Sequence, residues 1–167
     1  MEKRIETERL VLRPWCAADA GALYELARDP EVGTPAGWPP HESVEQSQQI
    51  IESVFNTPYV YAVVLKETGQ PVGCCGLVAP TPEHSATVAA DDAEIGYWLG
   101  RAFWGRGLMP EAVTAVAAQA RAEGRRRLWI AFYDGNDRSR RVAEKCGFRY
   151  HHTEIHDGVT EHFHVSE

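Results

Sequence analysis

Apolar positions recur along this chain at two spacings, one every second residue and one every three to four, and the alternation between them divides it into elements. Leu10-Val11-Leu12-Arg13-Pro14 reads as a short opening strand. Ala17 to Arg28 carries Leu23, Leu26 and Ala27 at helical spacing until Pro30 stops it. The run Gly33 to Pro40 holds too many breakers for regular structure, and Ser43 then caps a helix over Val44 to Phe55 with Gln46 at the capping-box position. Val60 to Lys66 and Val72 to Val78, separated by Glu67-Thr68-Gly69-Gln70-Pro71, form a hairpin. Pro80 to Asp91 is polar and reads as a mobile loop.

Glu94 to Leu99 returns to strand character. Pro110 to Glu123 then places Val113, Val116, Ala117 and Ala120 on one helical face before Gly124 ends it. Leu128 to Tyr133 is apolar on both faces, as an interior strand parallel to its predecessor must be. Asp134-Gly135-Asn136 turns into a helix from Asp137 to Cys146, Gly147 terminates it, and two strands follow, Phe148 to Ile155 and Val159 to Val165, joined at Asp157-Gly158. This order predicts an α/β fold with a mixed sheet, antiparallel in its first half, with one parallel pair near the middle. Where those two strands diverge, unpaired backbone groups would face a gap into which an extended ligand arm could hydrogen-bond.

The segment from Ile95 to Ala112 is a strand, a glycine-bearing loop and the first turn of a helix. Gly105 and Gly107 carry no β-carbons to block close backbone approach, and the helix starting near Leu108 offers unpaired N–H groups and the positive end of its dipole. That combination suits a diphosphate; the plainer alternative is a tight turn that binds nothing. Two specific versions are excluded. A nucleoside-triphosphate loop needs Lys-Ser/Thr after its last glycine, where this chain has Leu108-Met109, and a dinucleotide fingerprint needs a third glycine where Pro110 stands.

With 167 residues, 44% of them apolar, the chain can bury a continuous core without metal or disulfide staples. A formal charge of −7 argues against nucleic acid as a partner and leaves basic ligands open. No apolar run is long enough to span a bilayer, and Met1 to Glu6 holds no apolar signal core, so a cytoplasmic protein with no membrane partner is expected. Cys16, Cys74, Cys75 and Cys146 lack a Cys-x-x-Cys pair and read as reduced thiols. His162 and His164 share one strand face near a histidine-rich end, but no Cys or carboxylate pattern at ligand spacing accompanies them, and no metal is expected.

Three ordered blocks carry a resemblance: Thr7-Glu8-Arg9-Leu10-Val11-Leu12-Arg13; Ala93 to Leu99 with Trp104 to Ala112; and Asn136-Asp137-Arg138-Ser139-Arg140-Arg141-Val142-Ala143-Glu144-Lys145-Cys146-Gly147-Phe148. Over nearly its whole length the chain resembles the Gcn5-related N-acetyltransferase (GNAT) superfamily, in the branch similar to the ribosomal-protein-alanine acetyltransferases. The resemblance implies one acetyltransferase domain over residues 1–167, with about seven strands, four helices and a splayed parallel central pair. It also implies direct acetyl transfer from acetyl-CoA to a primary amine, either a protein N-terminus or a small cationic molecule. The backbone of Gly105, Arg106, Gly107, Leu108 and Met109, next to Trp104, would hold the diphosphate. Trp98, Leu99 and Gly100 would pair with the pantetheine arm and leave an N–H to polarise the thioester carbonyl. Asn136 would fix the arm from the other side, with Ser139 near the sulfur. Arg106 and Arg140 are either phosphate partners or solvated surface residues, and Arg125-Arg126-Arg127 reads as charge complementing a helix C-terminus.

An attacking amine must lose a proton, and Glu94 on the central strand is the first candidate to take it, either directly or through water; the alternative is a sheet-face carboxylate satisfied by a neighbouring Arg or Thr. Many relatives place a Tyr four residues before Gly-Phe, where this chain has Ala143. Protonation or solvation of the departing thiolate then moves to Ser139, to water or to Tyr133. A chain that kept the cofactor fold and lost the chemistry, an acyl-CoA sensor or interaction protein, is the competing class. Trp38 either lines an acceptor slot or anchors its loop on the sheet. A homodimer is expected by analogy alone.

Overall fold

The computed structural model describes residues 4–79, 81–82 and 84–167. Eight strands form one sheet: β1 (Ile5–Glu6), β2 (Leu10–Pro14), β3 (Val60–Leu65), β4 (Gln70–Val78), β5 (Ala93–Leu99), β6 (Leu128–Tyr133), β7 (Arg149–His156) and β8 (Val159–Ser166), in the order β1-β2-β3-β4-β5-β6-β8-β7. Five α-helices accompany them among the described residues: α1 (Ala20–Ala27), α2 (Pro30–Gly33), α3 (Val44–Ser53), α4 (Leu108–Ala122) and α5 (Asp137–Lys145). The periodicity reading stands, with two additions too short to produce a period. These are the two-residue β1, and the single turn of α2, where Pro30 starts a helix capped by Asp29 instead of merely ending the previous one. Ser43 caps α3 as expected, accepting from the Gln46 N–H at 3.0 Å, but the Gln46 side chain reaches the N–H of Glu42, one residue upstream of a capping box.

Strand alternation sorts the core into two layers. Leu10, Leu12, Val63, Leu65, Cys75, Ile95, Ile130 and Phe132 face α4 and α5, where Leu108, Met109, Ala112, Val113, Val116 and Ala120 form the apolar stripe of α4. Val11, Ala62, Val64, Cys74 and the half-buried Trp98 face the other way, toward Trp15, Leu23 and Ile51 on and around α1 and α3. Full burial of each large aliphatic side chain contributes about 1.5–3 kcal/mol, so both layers matter to stability. No helix among the described residues is long and apolar enough to cross a membrane.

The sheet is antiparallel except between β5 and β6, and that pair is registered at only two positions, Ala93 with Leu128 and Glu94 with Trp129. Beyond Glu94 the two strands run on, to Leu99 and to Tyr133, without pairing to each other. This is the split that the sequence order predicted.

Candidate active site

Backbone geometry builds the first half of the site. Gly105 and Gly107 take φ of +77° and +73°, a left-handed region costly for residues with a β-carbon, and a β-carbon added at Gly105 would meet nothing within 4 Å. Among the described residues, the N–H groups of Gly105, Arg106 and Gly107 find no protein acceptor, and those of Leu108 and Met109 lie in the first turn of α4, where no intrahelical acceptor exists. The side chains of Leu108 and Met109 are buried, so only their amides face out.

Glu111 holds this loop in place. Its carboxylate accepts from the Thr7 hydroxyl at 2.5 Å, the Arg9 N–H at 2.9 Å and Arg9 Nε at 2.9 Å, while Arg9 Nη1 donates to the Arg106 carbonyl at 2.8 Å. Burial alone would raise the Glu111 pKa; the hydrogen bonds from Thr7 and Arg9 outweigh it and leave the pKa lowered. Two of the blocks that carried the resemblance therefore meet as a scaffold, the Thr7-Glu8-Arg9 turn clamping the start of α4.

The split continues from this loop. The Gly100 N–H donates to Val72 at 2.8 Å, which by antiparallel alternation turns the backbone groups of Glu94, Gly96, Trp98 and Gly100 toward β4. Those of Tyr97 and Leu99 turn toward the gap. This corrects the expected pairing. Trp98 and Gly100 have no backbone groups to offer an arm in the split, and Gly100 also packs so tightly that a β-carbon would lie 2.5 Å from Leu26. The Leu99 carbonyl accepts from Trp104 Nε1 at 2.8 Å, leaving the Tyr97 amide and carbonyl and the Leu99 N–H as the open groups. The Trp98 indole lies on the opposite face, stacked on Trp15 and edge-on to Trp38.

Across the gap, Asn136 caps α5, accepting from the Ser139 N–H at 3.2 Å and donating to the Pro35 carbonyl at 3.3 Å. It ties the 33–40 loop to the cleft. Ser139 and Asn136 line one cleft with Tyr97, Trp98, Leu99, Trp104 and Arg138, so Trp98 borders the cleft although its backbone groups face β4. Sequence reasoning gave no role to Tyr97, whose hydroxyl sits 2.8 Å from the Ser139 carbonyl and 2.9 Å from Ser139 Oγ. The carbonyl can only accept, so Tyr97 donates to it and Ser139 donates to Tyr97. Burial pushes the Tyr97 phenol well above its ordinary pKa, more than the Ser139 hydrogen bond lowers it. Ala143 is fully buried at the position that would carry a phenol in many relatives, and Tyr97 brings one to the same helix from the strand.

The second half of the site is built from side chains. Among the described residues Glu94 meets neither Arg nor Thr; its Oε2 lies 2.8 Å from His84 Nδ1, and His84 Nε2 lies 2.9 Å from Glu161 Oε2. An imidazole with a carboxylate at each nitrogen donates at both, so His84 is an imidazolium. The hydrogen bonds to Glu161 and Glu94 outweigh desolvation and raise its pKa to about 10. The three side chains are only 9–13% exposed, so solvent screens them little. Tyr133 extends this group: its pKa is raised by partial burial and by the nearby charges of Glu161 and Glu94. Gly37, at φ +87°, brings the 33–40 loop so close to the Tyr133 ring that a β-carbon there would lie 2.6 Å from it.

His84 lies in the segment read as a mobile polar loop. Pro80 and Glu83 fall outside the described residues, but His84, Val88 and Asp92 are buried. Asp92 accepts from Trp129 Nε1 at 3.0 Å and pairs with Arg127 at 3.1 Å, while Arg125 donates to the carbonyls of Ala90 and Asp92, and Arg126 pairs with Asp91. The Arg125-Arg126-Arg127 run thus pins this loop to the start of β6 and does not serve as a helix-terminal charge. Trp38 packs edge-on against Trp98 at 5.5 Å and remains half-buried, anchoring its loop on the sheet. Arg106 pairs at 3.9 Å with Glu67 and Arg140 at 3.3 Å with Asp137, both exposed. Among the described residues no three or more His, Cys, Asp or Glu side chains converge in the way a metal site needs. The four cysteines are free, with Cys74 and Cys75 buried.

A family model described as an acetyltransferase (GNAT) domain matches residues 9–149. The uncharacterized N-acetyltransferase p20 of Bacillus licheniformis is 34% identical over 112 residues, which span 64% of this chain and 60% of that protein. Among solved structures, a GNAT-family acetyltransferase from Bacillus anthracis superposes with a TM-score of 0.81 at 21% identity, covering 98% of both chains. RimL, a ribosomal L7/L12 α-N-protein acetyltransferase solved with coenzyme A, gives 0.78 at 21% identity over 98% of this chain and 97% of its own.

Proposed function

Since the chain belongs to the GNAT acetyltransferase family, we propose that it acts along its whole length as one domain that transfers the acetyl group of acetyl-CoA directly to a primary amine. The observation that carries this reading is the split beyond Glu94 and Trp129, where one cleft is lined by Tyr97, Leu99 and Ser139 together with Trp104, the residue that precedes the open amides of the 105–109 loop. The residues present fit the cofactor. Five open amides at a helix N-terminus match a diphosphate, and the Tyr97 amide and carbonyl with the Leu99 N–H match the amides of a pantetheine arm. When bound, acetyl-CoA supplies the activated acyl group. The Leu99 and Tyr97 N–H groups are the donors available to its carbonyl as negative charge develops there.

The amine arrives as an ammonium and must be deprotonated before it can attack. His84 already holds its proton at neutral pH, so the proton acceptor in the trio is a carboxylate. Glu94 is the one on the splayed strand itself, while Glu161 keeps the imidazolium in place from β8. Two carboxylates against one imidazolium leave a net negative charge that attracts a cation, in keeping with the chain's overall −7. At the other end the Ser139 hydroxyl, which in this structure donates to Tyr97, swings from that bond to the departing thiolate while Tyr97 stays on the Ser139 carbonyl. A Ser hydroxyl is a poor acid, so its part is a hydrogen bond to sulfur, and the proton itself comes from water.

A thiol-release assay with acetyl-CoA, run across peptide N-termini, polyamines and aminoglycosides, tests the reading. Turnover on a primary amine supports it. Coenzyme A binding with no release on any of these acceptors would identify a sensor.

A further inference from the structure

The sequence offered Arg106 and Arg140 as charges for the coenzyme's phosphates, and each lies at the surface beside a carboxylate, Arg106 at 3.9 Å from Glu67 and Arg140 at 3.3 Å from Asp137. Arg138 has a different setting. Its Cζ lies 3.5 Å from the centroid of the Trp104 ring, so the guanidinium lies flat on the residue that directly precedes the glycine cradle. Trp104 is itself fixed through Nε1 to the Leu99 carbonyl. Among the described residues Arg138 has no carboxylate partner. Its one protein hydrogen bond is a long one, 3.4 Å to the Glu31 carbonyl, and it lines the same cleft as Tyr97, Leu99, Asn136 and Ser139. Arg101, Arg106 and Arg140 each have a carboxylate within 4.0 Å, whereas Arg138 has none among the described residues and leaves most of its five N–H donors unspent beside an anion cradle.

We propose that Arg138 is the cationic ligand of the coenzyme's diphosphate, held over the cradle by the Trp104 ring so that it meets phosphate oxygens while the 105–109 amides meet them from the opposite side. The assignment rests on the acetyl-CoA reading and extends it to a residue of α5. The aromatic stack fixes the plane of the guanidinium before the ligand arrives, so less side-chain freedom is lost when it forks onto two oxygens.

Calorimetric titration of wild-type, Arg138→Ala, Arg138→Lys and Arg140→Ala proteins with coenzyme A and with 3′-dephospho-coenzyme A tests this, with turnover of S-acetylpantetheine, which lacks the diphosphate, as a second readout. Loss of one charge-assisted phosphate contact weakens binding about 10- to 100-fold. The expected result is that loss in Arg138→Ala for both coenzymes alike, partial recovery in Arg138→Lys, less than about twofold change in Arg140→Ala, and unchanged S-acetylpantetheine turnover. Unchanged coenzyme affinity in Arg138→Ala would overturn the assignment. So would a loss seen with coenzyme A but not with its 3′-dephospho form, which would move Arg138 to the ribose phosphate. A fall in S-acetylpantetheine turnover would make Arg138 a structural prop of α5. If wild-type protein binds neither coenzyme, the acetyl-CoA reading itself fails, an outcome distinct from all of these.

Discussion

The two ends of the proposed site are made of different materials. The end assigned to the donor is main chain: open amides at 105–109, open edges at Tyr97 and Leu99, and a helix cap at Asn136, all locked by a local motif and the Thr7–Arg9–Glu111 clamp. The end assigned to the acceptor is side chain: Glu94, His84 and Glu161 come from a strand, a loop and another strand, and His84 and Glu161 are 77 residues apart. A backbone site recognises what every member of a cofactor class shares. A site assembled from three distant side chains can be rebuilt without disturbing the sheet, which is where acceptor choice can change.

That contrast can be broken by substitution. The largest effect is expected at the acceptor end. Glu94→Gln should lower kcat roughly 100- to 1,000-fold with coenzyme affinity unchanged in calorimetry, the usual range for losing a proton acceptor. If coenzyme affinity falls instead, the two ends are not separable. Next comes Gly107→Val, which forces a β-branched residue into φ +73° and disturbs the amide cradle. Coenzyme affinity should drop roughly 30- to 100-fold while the acceptor KM holds. Smaller again is Ser139→Ala, or Tyr97→Phe, which removes one hydrogen bond from the thiolate's surroundings; about a tenfold loss in kcat at constant coenzyme affinity is expected, and the reverse split would make the pair a binding element.

Effects on stability leave the chemistry aside, and they differ in sign with pH. The raised folded-state pKa of His84, about 10 against an ordinary 6.5, gives stabilisation that is complete below pH 6.5 and disappears as pH rises through 10. Thermal melts of wild-type protein should therefore decline across that window, and His84→Gln should flatten the decline. The lowered pKa of Glu111 works the other way: its contribution is present above the ordinary carboxylate range and is lost as pH falls. Glu111→Ala should cost about 1–3 kcal/mol near neutrality in chemical denaturation, and less at acid pH.

These differences also explain what could be read from the chain alone. Elements with a full period, such as α4 with Val113, Val116 and Ala120, were legible because burial of a face forces the spacing. The two-residue β1 and the single-turn α2 have no period to read. The glycine loop was legible because a backbone site needs specific residues side by side. The parity of β5 was not: whether Trp98 or Tyr97 faces the gap depends on which groups β4 takes, and that is set by a pairing with Val72 far upstream. His84 gave no signal, since a lone histidine in a polar run acquires its role only when Asp92 and Arg125 to Arg127 fold the loop onto β6. Arg138 lay inside a recognised block, but its stack on Trp104 brings together residues 34 positions apart.

Main-chain amides and a split sheet are proposed to form the coenzyme site, and calorimetric titration of coenzyme A into the wild-type protein is the decisive experiment. Saturable binding of one coenzyme per chain, weakened by the Gly107→Val substitution, is expected; no heat of association at any workable concentration, or binding indifferent to Gly107, would overturn the proposal.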